Sequence, residues 1–339
     1  MPDVSQALEQ IEGAVETAIA TAYQPSITGL VAPVDAAHRF LQRILYHINR
    51  LNFFWYRDLN EYENERSPYL QNLRDRIETP WQAWETQQFD QALMTQFQTS
   101  LAQMRTWSVD QVKQALQERA DADLQPPLSP SKRYIREGMT KAGYRHLIAI
   151  ASLDGLVESS RLCHILGGAS NEIQATLIRV LLEEYGNGRL SRKHSTFYAQ
   201  MMEELGLNSQ PEAYFEIVPW EVLACINHNF LLTERKRHFL RYNGGFTYFE
   251  IYGPSIYQDY MMAAQRLGLS DTAMGYWELH IREDERHGQW MLHQVAFALA
   301  DTYPNEAWEL VWGYDQEKWL GDRAGTAVMR AVQAVEQCC

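Results

Sequence analysis

Apolar positions recur at steps of three and four along almost the whole chain, the period of one buried helix face. In the first third, Phe40, Leu41, Ile44, Leu45, Ile48, Leu51, Phe54 and Trp55 form one such stripe on a long helix. Thr79 and Pro80 predict a helix start at TPWQAWETQQFDQALMTQF, and Ser108 predicts another at VDQVKQALQERA. Residues 121–132, DADLQPPLSPSK, place three prolines within five positions and so predict the end of that run. Beyond them the spacing predicts helices over 144–166, 172–185, 194–205, 220–232, 235–252, 255–267 and 271–299, and a weaker one over 305–320. Gly206, Gly253 and Gly268 mark expected helix ends, and Gly244-Gly245 an expected break or kink within 235–252. There is no alternating strand run, fixed-period repeat or low-complexity segment. The pattern therefore predicts an all-α protein: an N-terminal helical domain over 1–125, a proline-rich linker over 126–132 and a second helical domain over 133–339.

Composition narrows the class. The chain has 339 residues, of which 46% are hydrophobic and 22% charged, enough to build a sizeable core. A net charge of −13, with no basic cluster, argues against nucleic acid as a partner. No stretch reaches the roughly 18 apolar residues of a membrane span, and MPDVSQALEQIEG lacks the features of a secretory signal. A cytoplasmic protein is the expectation. Cys163, Cys225, Cys338 and Cys339 form no CxxC pair. The first two are expected to be reduced core thiols and the last two to lie on a frayed tail.

The chemistry concentrates in His280-Ile-Arg-Glu-Asp284-Glu-Arg-His287. At about 100° per residue, offsets of four and seven bring His280, Asp284 and His287 within about 60° of one another on a helix. Two imidazoles and a carboxylate on one face can grip one metal or serve two, and suit iron or manganese better than copper(I). A solvated polar face is the alternative for so charged a segment. Glu250 is the one charge among the aromatics of GGFTYFEIY, where it needs a metal or a hydrogen-bonding tyrosine or arginine. Glu184 and His194 flank Gly186-Asn187-Gly188, a break that allows two successive helices to turn toward a common point. Glu183 competes with Glu184 for the inward position.

With these residues in view, the region from about Tyr144 to Leu299 resembles the haem-oxygenase-like di-iron oxidases and oxygenases, the iron-containing redox enzymes. In that family one helix supplies a Glu followed after a break by a His, a later helix a second Glu, and a third helix H-x3-D-x2-H. The matching residues here are Glu184, His194, Glu250, His280, Asp284 and His287. The nitrogen-oxidising branch has a further carboxylate on an earlier ligand helix, matched by Glu158, for which pairing with Arg161 is the alternative.

The resemblance implies a haem-oxygenase-like bundle holding two iron ions. Their four carboxylates would neutralise two Fe(II). The absence of any E-x-x-H argues against a ferritin-like bundle. The resemblance further implies O2 as co-substrate, a peroxo-di-iron(III) species, an external reductant acting as electron donor, and N-oxygenation of a small amine or guanidine. The N-terminal domain resembles a helical region that helps such proteins form homodimers, with NFFWYRDLNEY as interface or ordinary core. Arg235, Arg237 and Arg241 offer a fork for a substrate carboxylate, or are solvated helix charges. Two rivals remain: desaturation or oxidative C–C cleavage of an amino acid or fatty acid by the same cofactor without Glu158, and a non-catalytic helical interaction protein.

Overall fold

The computed structural model describes residues 4–24, 31–55, 58–167 and 171–338. They form helices and turns, with no strand among the described residues. The chain divides into two compact units, Met1–Ser100 and Leu101–Cys339.

The first unit consists of α1 (Val4–Tyr23), α2 (Val31–Phe53) and α3 (Pro68–Phe97). On α2, Leu41, Leu45 and Ile48 are buried as the apolar stripe requires, and Phe54 is buried just past its end. Trp55 is 85% exposed and stacks on Tyr62. Tyr56 and Arg57, at the centre of the aromatic segment, lie outside the described residues. Helix α3 corrects the expected start at Thr79-Pro80, because it runs through Pro80 from Pro68. Leu73, Ile77, Trp81, Phe89 and Leu93 are all buried and spaced by fours or eights on both sides of that proline. Their burial offsets the roughly 3 kcal/mol that an interior proline costs a helix.

The second unit contains α4 (Val109–Leu124), α5 (Lys141–Gly155), α6 (Glu172–Glu184), α7 (His194–Glu204), α8 (Trp220–Glu234), α9 (Phe239–Arg266), α10 (Asp271–Trp290), α11 (Phe297–Thr302) and α12 (Trp308–Gln337). The central α9 packs on α10 and α12; α10 also packs on α7, and α12 on α4, α5 and α8. Tyr144, Ile148, Tyr198, Met201, Ala264 and Trp277 are part of the core between these helices.

The unit boundary precedes α4, rather than falling at the proline-rich segment. Ser108 caps α4 with a reciprocal capping box. The helix is then tied to α12 by Arg119, whose guanidinium donates to both oxygens of Asp315 at 2.6 and 2.9 Å. The Tyr314 hydroxyl and the Lys318 ammonium both donate to the buried Asp123. The segment expected as linker is itself anchored. Pro130 opens a short helix capped by Ser129, and the buried Lys132 donates to Ser255 Oγ at 2.7 Å.

Three glycines expected to interrupt helices instead let them approach. Helix α9 is continuous through Gly244-Gly245 and Gly253-Pro254. A β-carbon on Gly244 would lie 2.0 Å from the Leu310 carbonyl oxygen of α12. One on Gly253 would lie 3.1 Å from Asp284 Oδ2 of α10. Gly206 and Gly268, both at positive φ, do end α7 and α9 as the sequence predicts. The helix expected over 144–166 stops at Gly155; a turn with Ser159 at φ 62° follows, and then a 3-10 segment, Ser160–Ile165. The stretch expected over 271–299 is helical throughout but widens into a π-helix at Met291–Ala296. Helix α12 extends well past the expected residue 320, to Gln337. Cys163, expected in the core, is exposed on the 3-10 segment; Cys225 is half-buried, Cys338 is exposed and Cys339 lies outside the described residues.

Candidate metal centre

Five segments bring the candidate ligands together. Helix α6 ends at Glu184, and the chain reverses through Gly186, Asn187 and Gly188, all at positive φ. A β-carbon on Gly186 would stand 2.4 Å from the backbone of Arg192, so this reversal requires glycine. The reversal starts α7 at His194, whose Nδ1 lies 3.0 Å from Glu184 Oε2. Glu250 comes from the middle of α9, and His280, Asp284 and His287 from one face of α10. Glu158 comes from the turn after α5, not from a helix as expected.

The donor atoms fall into two overlapping groups. Glu158, Glu184, His194 and His280 offer atoms all within 4.8 Å of one another, as do Glu184, Glu250 and His287. Glu184 belongs to both. Asp284 lies beside the second group, its Oδ1 3.7 Å from His287 Nδ1. The site thus brings together every ligand candidate named from the sequence. Arg161 does not pair with Glu158; it pairs with Asp154. Glu158 instead accepts from the Tyr276 hydroxyl.

Each imidazole is held from behind by an acceptor. The Nε2–H of His194 faces Glu283 Oε2 at 3.3 Å, and the Nε2–H of His287 donates to Glu183 Oε2 at 2.8 Å. The Nδ1–H of His280 donates to the Tyr276 carbonyl at 2.8 Å. These contacts leave Nδ1 of His194, Nδ1 of His287 and Nε2 of His280 aimed into the cluster, with the tautomer set by the other nitrogen. The sequence named Glu183 only as a competitor of Glu184, and did not single out Glu283 or the Tyr276 carbonyl. Their one signal is adjacency to a ligand or a place one turn before it, which many ordinary residues share.

Fit to a metal is tested by the atoms left without partners. Glu158 Oε1 and both Asp284 oxygens are buried without a hydrogen bond, and Glu250 Oε2 has only His287 Nδ1, 3.3 Å away, as its partner. Three orphaned oxygens beside this one pair would be costly unless a cation engaged them. An all oxygen and nitrogen donor set fits iron.

The same crowding perturbs every acid in the cluster. Burial pushes Glu158 up to about 8, reinforced by the Glu184 charge. Burial also acts to raise Glu184, but His194, His280 and His287 outweigh it and hold Glu184 at about 2. Burial disfavours charge on His194 and His287, yet the surrounding carboxylates raise them to about 10 and about 9. His280 is lowered to about 4, by burial first and the His194 charge second. Asp284 is raised well above its ordinary value, by burial and then by Glu250.

A cavity of about 360 Å³ opens beside the cluster. Glu158, Glu184, Glu250, His280 and Asp284 form one part of its wall, and Phe246, Phe249, Val328 and Met329 contribute apolar surface. Arg235, Arg237 and Arg241 are not among its lining residues, which corrects the expected carboxylate fork. Arg237 forks Glu309 at 2.6 and 2.9 Å; the buried Arg241 donates to Gln316 and stacks on Trp312. Two of the three arginines thus join α12 to the segment before α9 or to α9 itself.

A nitrosourea synthase from Streptomyces achromogenes subsp. streptozoticus is 27% identical to this chain over 154 residues. That similarity covers 44% of this chain and only 32% of the synthase. Residues 145–317 match the sequence model of the iron-containing redox enzymes. Because that match spans about half of the chain and encloses every residue of the cluster, this protein is an oxidoreductase of the iron-containing redox enzyme family.

Proposed function

We propose that the chain holds two iron ions and uses O2 to oxygenate a nitrogen of a small amine or guanidine, with electrons from an external donor. The observation that carries this reading is Glu184, shared by two donor groups, one of which also contains Glu158. A carboxylate common to two groups suits a pair of metals bridged by one residue, and seven donors exceed the needs of a single ion. The similarity to a nitrosourea synthase favours nitrogen as the atom oxidised, since a nitrosourea carries an oxidised nitrogen.

Bound iron would supply the reductive activation of O2. The overall change balances as amine, O2, two electrons and two protons giving hydroxylamine and water. The protein's part is positional. Glu183, Glu283 and the Tyr276 carbonyl lock the three imidazoles, and the Tyr276 hydroxyl orients Glu158. The apolar cavity wall limits water beside the reacting nitrogen.

The bond between Tyr276 and Glu158 also favours a second reading. A Glu158 kept by the tyrosine leaves six donors, the set expected for desaturation or C–C cleavage. Glu158→Ala separates the two. Under N-oxygenation the variant loses the second iron or the hydroxylamine product on exposure of Fe(II)-loaded protein to O2 with an amine. Iron content and O2 uptake equal to the unsubstituted protein would take away the support that the N-oxygenation reading draws from Glu158, and absence of hydroxylamine from the iron-loaded unsubstituted protein would remove that reading. Failure of the unsubstituted protein to bind iron at all would remove both.

A further inference from the structure

Outside the metal cluster, three charged side chains line the cavity: Asp154, Arg161 and Glu317. Asp154 and Arg161 neutralise each other through an ion pair. Glu317 has no such partner. Its carboxylate, on α12, accepts from Asn229 Nδ2 at 3.2 and 3.4 Å and faces Cys225 Sγ at 3.7 Å. Both donors are neutral, and no lysine, arginine or histidine among the described residues forms an ion pair with it. Yet Glu317 is only 9% exposed. A carboxylate this buried is held at considerable cost unless a cation accompanies it. Burial accordingly pushes its pKa up, opposed by Asn229 and by the charge of Arg161.

Position gives the missing cation a role. Gly245 of α9 packs directly against Glu317; a β-carbon there would lie 3.4 Å from Oε2. Glu250 of the metal cluster follows five residues later on the same helix, about 7.5 Å along its axis. Phe246 and Phe249 lie between them in sequence and both line the cavity. One compartment therefore has on its wall the metal-facing carboxylates, apolar rings and a buried carboxylate without an ion-pair partner.

We propose that Glu317 binds a cationic nitrogen of the substrate, making the substrate a small molecule with two nitrogens. One nitrogen, an ammonium or guanidinium, is held by Glu317, and the other is presented at the metal cluster. The second half of this statement rests on the proposed oxygenation of nitrogen; the first half does not. A recognition carboxylate outside the metal cluster selects the substrate by charge.

The test uses the full chain, metal-free and loaded anaerobically with Fe(II), and two probes of equal length: 1,5-diaminopentane and its uncharged isostere 1,5-pentanediol. Binding is read by calorimetry, and iron content is measured on the same samples. The diamine is expected to bind at least tenfold more tightly than the diol. Glu317→Gln, which keeps the size and the acceptor for Asn229, is expected to remove most of that preference while leaving diol binding and iron content unchanged. A preference that survives Glu317→Gln, or its absence in the unsubstituted protein, overturns the proposal. Because the comparison is also made without metal, failure to load iron removes the oxygenase reading and leaves the recognition of the cation to be judged separately.

Discussion

Loading the centre with Fe(II) at pH 7 is expected to expel about three protons per chain, because metal ligation requires deprotonated donors. The count follows from the metal-free cluster. His194 and His287, raised to about 10 and about 9 by Glu184, Glu250 and Glu183 against the opposing effect of burial, are both imidazolium at pH 7. Each must lose its proton before Nδ1 can ligate. Glu158, raised to about 8 by burial and by Glu184, is mostly carboxylic acid at that pH and contributes nearly one more. Glu250 and Asp284, also raised by burial, can only add to the total. His280, lowered to about 4, is already neutral and contributes none.

The sign is fixed by the same shifts. Groups that hold protons in the metal-free state and lose them on binding make iron affinity rise with pH. That rise levels off only as pH passes the values for Glu158, His287 and then His194. At about 1.4 kcal/mol per proton per pH unit, three protons correspond to about 4 kcal/mol of apparent binding energy between pH 6 and 7. Anaerobic calorimetry in two buffers of matched pH and different ionisation enthalpy reads the proton count directly. Release of fewer than one proton, together with an affinity flat from pH 6 to 8, would show that the cluster is not charged as described.

Other outcomes test neighbouring parts of the argument. Glu283→Ala and Glu183→Ala remove the carboxylates behind His194 and His287 and are expected to weaken iron binding by roughly 10- to 100-fold without unfolding the chain; unchanged affinity would make them surface residues only. Gly244→Ala forces a β-carbon to within 2.0 Å of a backbone oxygen on α12. It is expected to cost about 1–3 kcal/mol or more, seen as a lower thermal midpoint, and an unaltered midpoint would contradict the close α9–α12 approach. Gly186→Ala meets both a positive φ and the backbone of Arg192, so His194 should be displaced and iron stoichiometry should fall. Full occupancy in that variant would show the reversal to be dispensable.

How far the sequence could be read depended on which physical signal each feature leaves. Helical content is legible because burial imposes a period on many residues at once. The α10 triplet is legible for the same reason, since a helix face fixes three donors by spacing alone. Helix ends were less secure, because glycine and proline have more than one use. Gly206 ends a helix because its left-handed backbone satisfies the last carbonyls. Gly244 and Gly253 have ordinary helical φ and exist for what packs against them, which is a property of α12 and α10. Pro80 is outvoted by a stripe of apolar residues whose burial depends on partners in α1 and α2. Gly155, the last residue of α5, is likewise placed by its partner, since the Tyr198 ring stands 2.7 Å from where a β-carbon would be. None of these partners can be identified from spacing along one helix.

The choice between Glu183 and Glu184 shows the same limit within the site. Neighbouring residues on a helix project about 100° apart, so one was expected to face inward and the other outward. That reasoning treats the site as a point. His287 is a ring with two nitrogens on different edges, and it sits between the two side chains: Glu183 takes Nε2 at 2.8 Å, while Glu184 lies 3.8 Å from Nδ1. Both carboxylates therefore serve the same imidazole from different directions. Glu184 is enclosed, next to orphaned donors that call for a cation. Glu183 remains partly open and is paired with Arg286 at 2.7 Å, while it accepts from the imidazole. Adjacent positions acquire different chemistry from the depth at which each meets one ring.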